Sequence, residues 1–260
     1  NRRIAEKMYL KVIPIRESMI DTEANNDSII DYAVKMKRMD NQKEMGNLLR
    51  HGQFRNEDIS KIARVISDFH KKTEVVKNAF NMTKFQNEYA EVLNEIDFIE
   101  ECLGDNYAEK VRKFVGKSKN FLNDHRSYIN ERITLGYQKD CHGDLTSHNI
   151  FLYDQPVIFD CIEYNDEFRH IDVLNEIAFL CVDLEFYHKK NFSKQFFEKY
   201  SELMDYNISQ KEMDLLHYFK SYRANIRAKV TILSQKQCKS KDDNAIKDIK
   251  RYIELMDQDY

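Results

Sequence analysis

Three oxygen-bearing side chains stand close together near the middle of this 260-residue chain. Asp144 and Asn149 are five residues apart, inside Cys141-His142-Gly143-Asp144-Leu145-Thr146-Ser147-His148-Asn149-Ile150-Phe151. Asp160 follows eleven residues later, at the end of Val157-Ile158-Phe159-Asp160. Two carboxylates and an amide suit phosphoryl transfer. That reaction asks little covalent help of a protein. It needs a carboxylate to orient or deprotonate an attacking hydroxyl, and hard oxygen ligands to hold Mg²⁺ against phosphates. A loop followed by a hairpin can place all three residues around one metal ion, at ligand distances of about 2.1 Å.

The elements that must do this are legible in outline. Ile150-Phe151-Leu152 and Val157-Ile158-Phe159 are short apolar runs around a turn at Asp154-Gln155-Pro156, which reads as a β-hairpin. Residues 1–8 read as the last turns of a helix, Tyr9–Ile15 and Ser28–Arg38 as strands, and Glu23–Asp27 as a polar turn between them. Pro14 suits a sheet edge or a strand end. From Met39 the apolar spacing changes to a helical period. Asn56-Glu57-Asp58 reads as the cap of a helix with Ile59, Ile62, Ala63, Ile66 and Phe69 on one face. Longer helices are expected at about 83–103 and 106–135, broken at Gly104-Asp105, and again at about 171–188, 193–204, 209–236 and 242–257. Lys236–Asp243 reads as a polar loop. The expected fold is α+β: a small strand-rich piece over 1–40, and a large helical lobe over 41–260 that carries the 141–160 loop and hairpin.

The spacing and context resemble a known group. Protein kinases use the same Asp-x-x-x-x-Asn spacing followed by a metal-binding Asp after a strand. His142-Gly143-Asp144-Leu145-x-x-x-Asn149-Ile150, with Ile158-Phe159-Asp160, resembles the catalytic loop of aminoglycoside phosphotransferase-like kinases. Phe159 to Arg169, Asp172-Val173, Asp183-Leu184-Glu185, Tyr222-Arg223-Ala224 and Arg227-Ala228-Lys229-Val230 are similar to a poorly characterised bacterial branch of that group. The resemblance implies a protein-kinase-like fold and ATP- and Mg²⁺-dependent transfer of the γ-phosphate to a hydroxyl, on a small-molecule acceptor. Asp144 would be the catalytic base or would orient that hydroxyl. Asn149 and Asp160 would hold Mg²⁺ bound to ATP. Lys35, Met36, Lys37 and Arg38 would form the last strand and hinge beside the adenine, with Lys35 alternatively the phosphate-contacting lysine. The family's glycine-containing strand pair, lysine and paired glutamate would precede the segment matching Asn1-Arg2-Arg3. Two other readings stay open: a non-catalytic nucleotide-binding or regulatory module, and another nucleotide-dependent transferase on the same fold.

Further residues carry weaker signals. His142 and His148 flank Asp144 and could support the loop or contact substrate. Glu163 could touch a second metal, the acceptor or a structural hydrogen bond. Asp172 and Asp183 flank what reads as an amphipathic helix and could fix the catalytic loop or contact the acceptor. Arg223 and Arg227 are four apart on one helical face. They could bind an anionic acceptor or sit in an internal ion pair. His70 reads as a packing histidine. Gly116-Lys117-Ser118 lacks the glycine and strand a phosphate loop requires, and reads as helix surface like the rest of 106–131.

Composition narrows the classes. Lys and Arg total 41 against 44 Asp and Glu, a net charge of −3 that gives no support to nucleic acid or an anionic membrane as partner. No run approaches 18 apolar residues, and the visible start has no apolar signal core, so neither a membrane span nor a secretory signal is expected. The five cysteines form no Cys-x-x-Cys pair, which fits free thiols in a reducing cytoplasm.

Overall fold

A computed structural model describes residues 2–16, 28–206, 208–238, 242–258 and 260. The turn expected at Glu23–Asp27 and the middle of the loop expected at Lys236–Asp243 lie outside these residues. The fold is α+β, mainly helical with small two-stranded sheets. Among the described residues no helix is long and apolar enough to cross a membrane.

The chain opens with a helical turn, α1 (Arg2–Ala5), and an antiparallel ribbon of β1 (Tyr9–Arg16) and β2 (Ile29–Met36). Val12 pairs with Val34, Ile13 with Ala33 and Pro14 with Tyr32. Pro14 is tolerated because β1 has β2 as its one partner among the described residues. Arg3 ties this piece to the larger body. Its guanidinium donates to the carbonyls of Asp140 at 3.0 Å and Cys141 at 3.2 Å, and meets the Asp140 carboxylate at 2.6 Å.

After α2 (Met45–Arg50), α3 (Asn56–Lys72) buries Ile59, Ile62, Ala63 and Ile66, the face its spacing predicts. The cap differs from expectation. Asn56 is already helical, and the Asp58 carboxylate closes the end by accepting from the Arg55 N–H at 2.9 Å. The helix expected at 83–103 is two helices, α4 (Met82–Ala90) and α5 (Ile96–Leu103), joined by a 3₁₀ stretch at Glu91–Glu95. There Glu95 is buried and pairs with Lys236 at 2.8 Å. Gly104, at φ +85°, makes the expected break before α6 (Asp105–Thr134). α6 is not wholly a solvated surface: Val111, Phe114, Ser118, Phe121 and Leu122 are buried along one stripe.

Strand β3 (Gln138–Asp140) pairs with β6 (His170–Asp172), and β4 (Ile150–Phe151) with β5 (Val157–Ile158), the expected hairpin. The remaining helices are α7 (Val173–Phe186), α8 (Lys190–Met204), α9 (Gln210–Gln237) and α10 (Asp243–Leu255). α3 packs on α8, and α7 is packed by α8, α9 and α10. α7 corrects an expectation. It is buried on every side from Val173 to Glu185 rather than amphipathic, and Asp183 lies inside it rather than beside it. Asp172 caps α7 by accepting from the Leu174 N–H at 2.8 Å, and takes the Arg132 guanidinium bidentately at 2.7 and 2.8 Å. A helix with no wet face makes a rigid floor for the loop that crosses it.

Candidate active site

Residues 141–149 run from β3 into the hairpin directly over α7, which holds them by their backbone. The Glu176 carboxylate accepts from the N–H of His142 at 2.6 Å and of Gly143 at 3.2 Å. Seven residues on, the Asp183 carboxylate accepts from the Ser147 N–H at 2.6 Å. Seven residues is two helical turns, so both acids rise from one face. Both are buried, and the amides they accept from compensate their charge. Asp183 thus fixes the loop, one of its two expected roles. Glu176 was not singled out from the sequence. The signal was present, because an acid repeated at seven residues within an apolar run needs a buried partner.

The loop then orients itself. Gly143 sits at φ +88°, where an added Cβ would meet the Phe168 carbonyl at 2.9 Å. His142 is buried. Its Nε2 faces the Phe159 carbonyl at 2.7 Å and its Nδ1 faces the Asp144 N–H at 3.3 Å. His142 therefore supports the loop. Asn149 Nδ2 donates to the Asp144 carbonyl at 2.9 Å and to Asp144 Oδ2 at 3.0 Å. Both amide hydrogens go to Asp144, leaving Asn149 Oδ1 available as a ligand oxygen.

The hairpin brings Asp160 to the same place. The Phe159 N–H donates to the Asn149 carbonyl at 3.0 Å, so Asp160 is next to the cross-strand partner of Asn149. Asp160 has left-handed backbone, φ +64°, and its N–H donates to the Tyr9 hydroxyl at 3.0 Å. Burial raises the Tyr9 phenol above its ordinary pKa, opposed by the hydrogen bond from Asp160. Among the described residues the Asp160 carboxylate makes no hydrogen bond or ion pair. A hard, uncommitted carboxylate and an oriented amide oxygen, linked through the hairpin backbone, are donors of the kind Mg²⁺ takes.

Two cavities meet here. One, of about 750 Å³, lies between Gly143, Asp144 and the helices, with Phe179, Arg223 and Arg227 in its wall. The other, of about 1130 Å³, lies against the ribbon, lined by Val12, Val34 and Met36. Asp160, Ile162 and Glu163 belong to both. Of the expected hinge residues, Met36 lines the ribbon cavity. Lys35, Lys37 and Arg38 do not, and all three are exposed. His148 also points elsewhere: it is exposed, and its Nδ1 meets Glu44 Oε1 at 2.7 Å.

Among the described residues neither arginine forms an ion pair. Arg223 is buried. Its Nε donates to the Asn175 carbonyl at 3.3 Å and Oδ1 at 2.7 Å, and its guanidinium lies over Phe179 at 4.7 Å. Arg227 Nε reaches the Tyr252 hydroxyl at 3.4 Å, with the guanidinium 5.5 Å from that ring. Burial opposes the Arg227 charge. The Tyr252 hydroxyl and the carboxylates of Asp183 and Asp144 outweigh it and hold the pKa above its ordinary value.

A second polar cluster lies beneath the loop. Ligand atoms of His70, Cys141 and Glu176 fall within 4.8 Å of one another, all buried. His70 Nδ1 faces the Tyr200 hydroxyl at 2.7 Å. Burial drives the His70 pKa down to about 3, with Lys139 and His142 adding to the shift, and pushes the Cys141 thiol well up. Both Glu176 oxygens already accept loop amides, so the cluster is a brace for the loop. All five cysteines are free.

No family model matches the chain. It is 24% identical over 243 residues to uncharacterized proteins of Mycobacterium bovis and Mycobacterium tuberculosis, a match covering 88% of this chain and 45% of each relative. The chain spans about half the length of the curated relatives it matches.

Proposed function

We propose that this chain has a protein-kinase-like fold and transfers the γ-phosphate of ATP, with Mg²⁺, to a hydroxyl of a small molecule. The reading rests on the meeting of two cavities at Asp160, one against the ribbon and one against Asp144. A nucleotide in the first and an acceptor in the second would face each other across the group expected to hold the metal.

The roles follow from the geometry. Val12, Val34 and Met36 offer an apolar wall to a flat base. Asn149 Oδ1 and the Asp160 carboxylate would hold the metal ion. Mg²⁺–ATP, when bound, supplies the phosphoryl group and neutralises its charge. The Asn149 amide holds the Asp144 carboxylate toward the second cavity, where it can orient an acceptor hydroxyl and accept its proton. His142, Glu176 and Asp183 act through the backbone, fixing where Asp144 stands.

Calorimetric titration with Mg²⁺ and a non-hydrolysable ATP analogue tests this, comparing the chain with Asp160→Asn. Asn keeps the left-handed backbone and removes the charge. The expected result is metal-dependent binding, weakened at least about tenfold in the variant, as for a lost charged contact. Absence of binding by the unmodified chain, or binding indifferent to Mg²⁺, overturns the proposal.

A further inference from the structure

We infer that the acceptor is an anion: a hydroxyl-bearing small molecule with a carboxylate or phosphate that docks on Arg223 and Arg227. The inference rests on the phosphotransferase reading for the word acceptor, and on the cavity itself for the charge.

Both guanidiniums stand in the wall of the cavity that holds Asp144, four residues and about 6 Å apart along α9. Among the described residues neither forms an ion pair. Arg223 commits its Nε to Asn175 and Arg227 its Nε to Tyr252, while the Nη groups of both have no acceptor among the described residues. The Phe179 ring lies 4.7 Å from the Arg223 guanidinium and the Tyr252 ring 5.5 Å from that of Arg227. Two cations one turn apart repel each other, and holding them unpaired, one buried and one partly buried, is costly. An anion between them removes both penalties, and the guanidinium fork matches a carboxylate or phosphate.

The other cations of this cavity differ. Lys84 meets Glu167 and lies 3.8 Å from Glu88, and Lys229 meets Glu91. Their charge is answered within the protein. Arg227 has carboxylates only at longer range, those of Asp183 and Asp144, and Asp144 is the group that would face the acceptor hydroxyl. An anionic group on the arginines would leave a hydroxyl on the same molecule free to reach Asp144. Phe179, Tyr222 and Ile226 line the space for its apolar part.

The test titrates the full chain with mandelate, methyl mandelate and phenylethanolamine, which share a ring and hydroxyl but carry a negative, no and a positive charge. Glycerol phosphate and glycerol form the phosphate arm. One or both anions should bind, and Arg227→Gln should weaken that binding about tenfold or more. Phenylglyoxal labelling of the unmodified chain avoids dependence on variant folding. The bound anion should protect Arg223 and Arg227, read by peptide mass. The arm that binds identifies a carboxylate or a phosphate. Equal binding of neutral or amine probes, anion affinity unchanged in Arg227→Gln, or no anion binding and no protection overturns the inference. Mg²⁺–nucleotide titration is scored separately. Arginine-dependent anion binding without nucleotide binding keeps the anion site and removes the kinase reading.

Discussion

His70 should make stability depend on pH in a way that can be calculated. The ring is fully buried under the 141–149 loop, facing Tyr200, Cys141 and Glu176, with Lys139 and His142 near enough to oppose its charge. Its pKa falls from 6.5 to about 3 on folding. A depressed histidine pKa means that the unfolded chain binds the proton and the folded chain does not. Its contribution is complete above the unfolded pKa and is lost as pH falls through the window down to about 3. The slope there is roughly 1.4 kcal/mol per pH unit. Between about pH 7.5 and about pH 5 this one residue therefore removes about 2 kcal/mol. Urea unfolding at both pH values, for the chain and for His70→Asn, isolates the effect. Asn keeps an acceptor near the Tyr200 hydroxyl and cannot titrate. The unmodified chain should lose about 2 kcal/mol more than the variant on acidification. Equal losses refute the buried neutral ring. The opposite sign would mean that Glu176 draws a proton onto His70 and that the two form a buried ion pair.

Two further outcomes concern the loop. Glu176→Gln leaves the amides of both His142 and Gly143 without a charged acceptor and should cost about 1.5–3 kcal/mol in urea unfolding. If the loop positions Asp144, turnover should fall while Mg²⁺–nucleotide affinity holds. Gly143→Ala forces a Cβ to within 2.9 Å of the Phe168 carbonyl at a positive φ. It should destabilise by about 1–3 kcal/mol, measured by thermal unfolding.

What was legible in the sequence was local. The hairpin, the break at Gly104 and the buried face of α3 follow from neighbouring residues, and the structure has them. Partners far away in the chain were not legible. Glu176 serves amides more than thirty residues earlier; its spacing from Asp183 in an apolar run signals a buried partner but not which one. α7 reads as an amphipathic helix flanked by Asp172 and Asp183, but the acids inside it lack a wet face. They are dry, since backbone amides take Glu176 and Asp183 while Lys220 meets Glu185 at 2.8 Å. His148 misled for the opposite reason. It stands between two site residues, but a 3₁₀ turn at Ser147–Asn149 turns it outward to Glu44. The division of Arg223 and Arg227 from their neighbouring lysines needed the packing of α4 and α9.

The left-handed backbone at Asp160 also bears on how such a site can be lost over evolutionary time. At this φ, glycine and asparagine are the most comfortable replacements, and each is one base change from an aspartate codon. Either would discard the carboxylate and leave the hairpin unstrained. Selection for folding would therefore not preserve the acid here, whereas it would preserve Gly143 and Glu176. An aspartate kept at this position across diverging sequences would record selection on chemistry alone, and counting its replacements among relatives would separate a working lineage from a retired one.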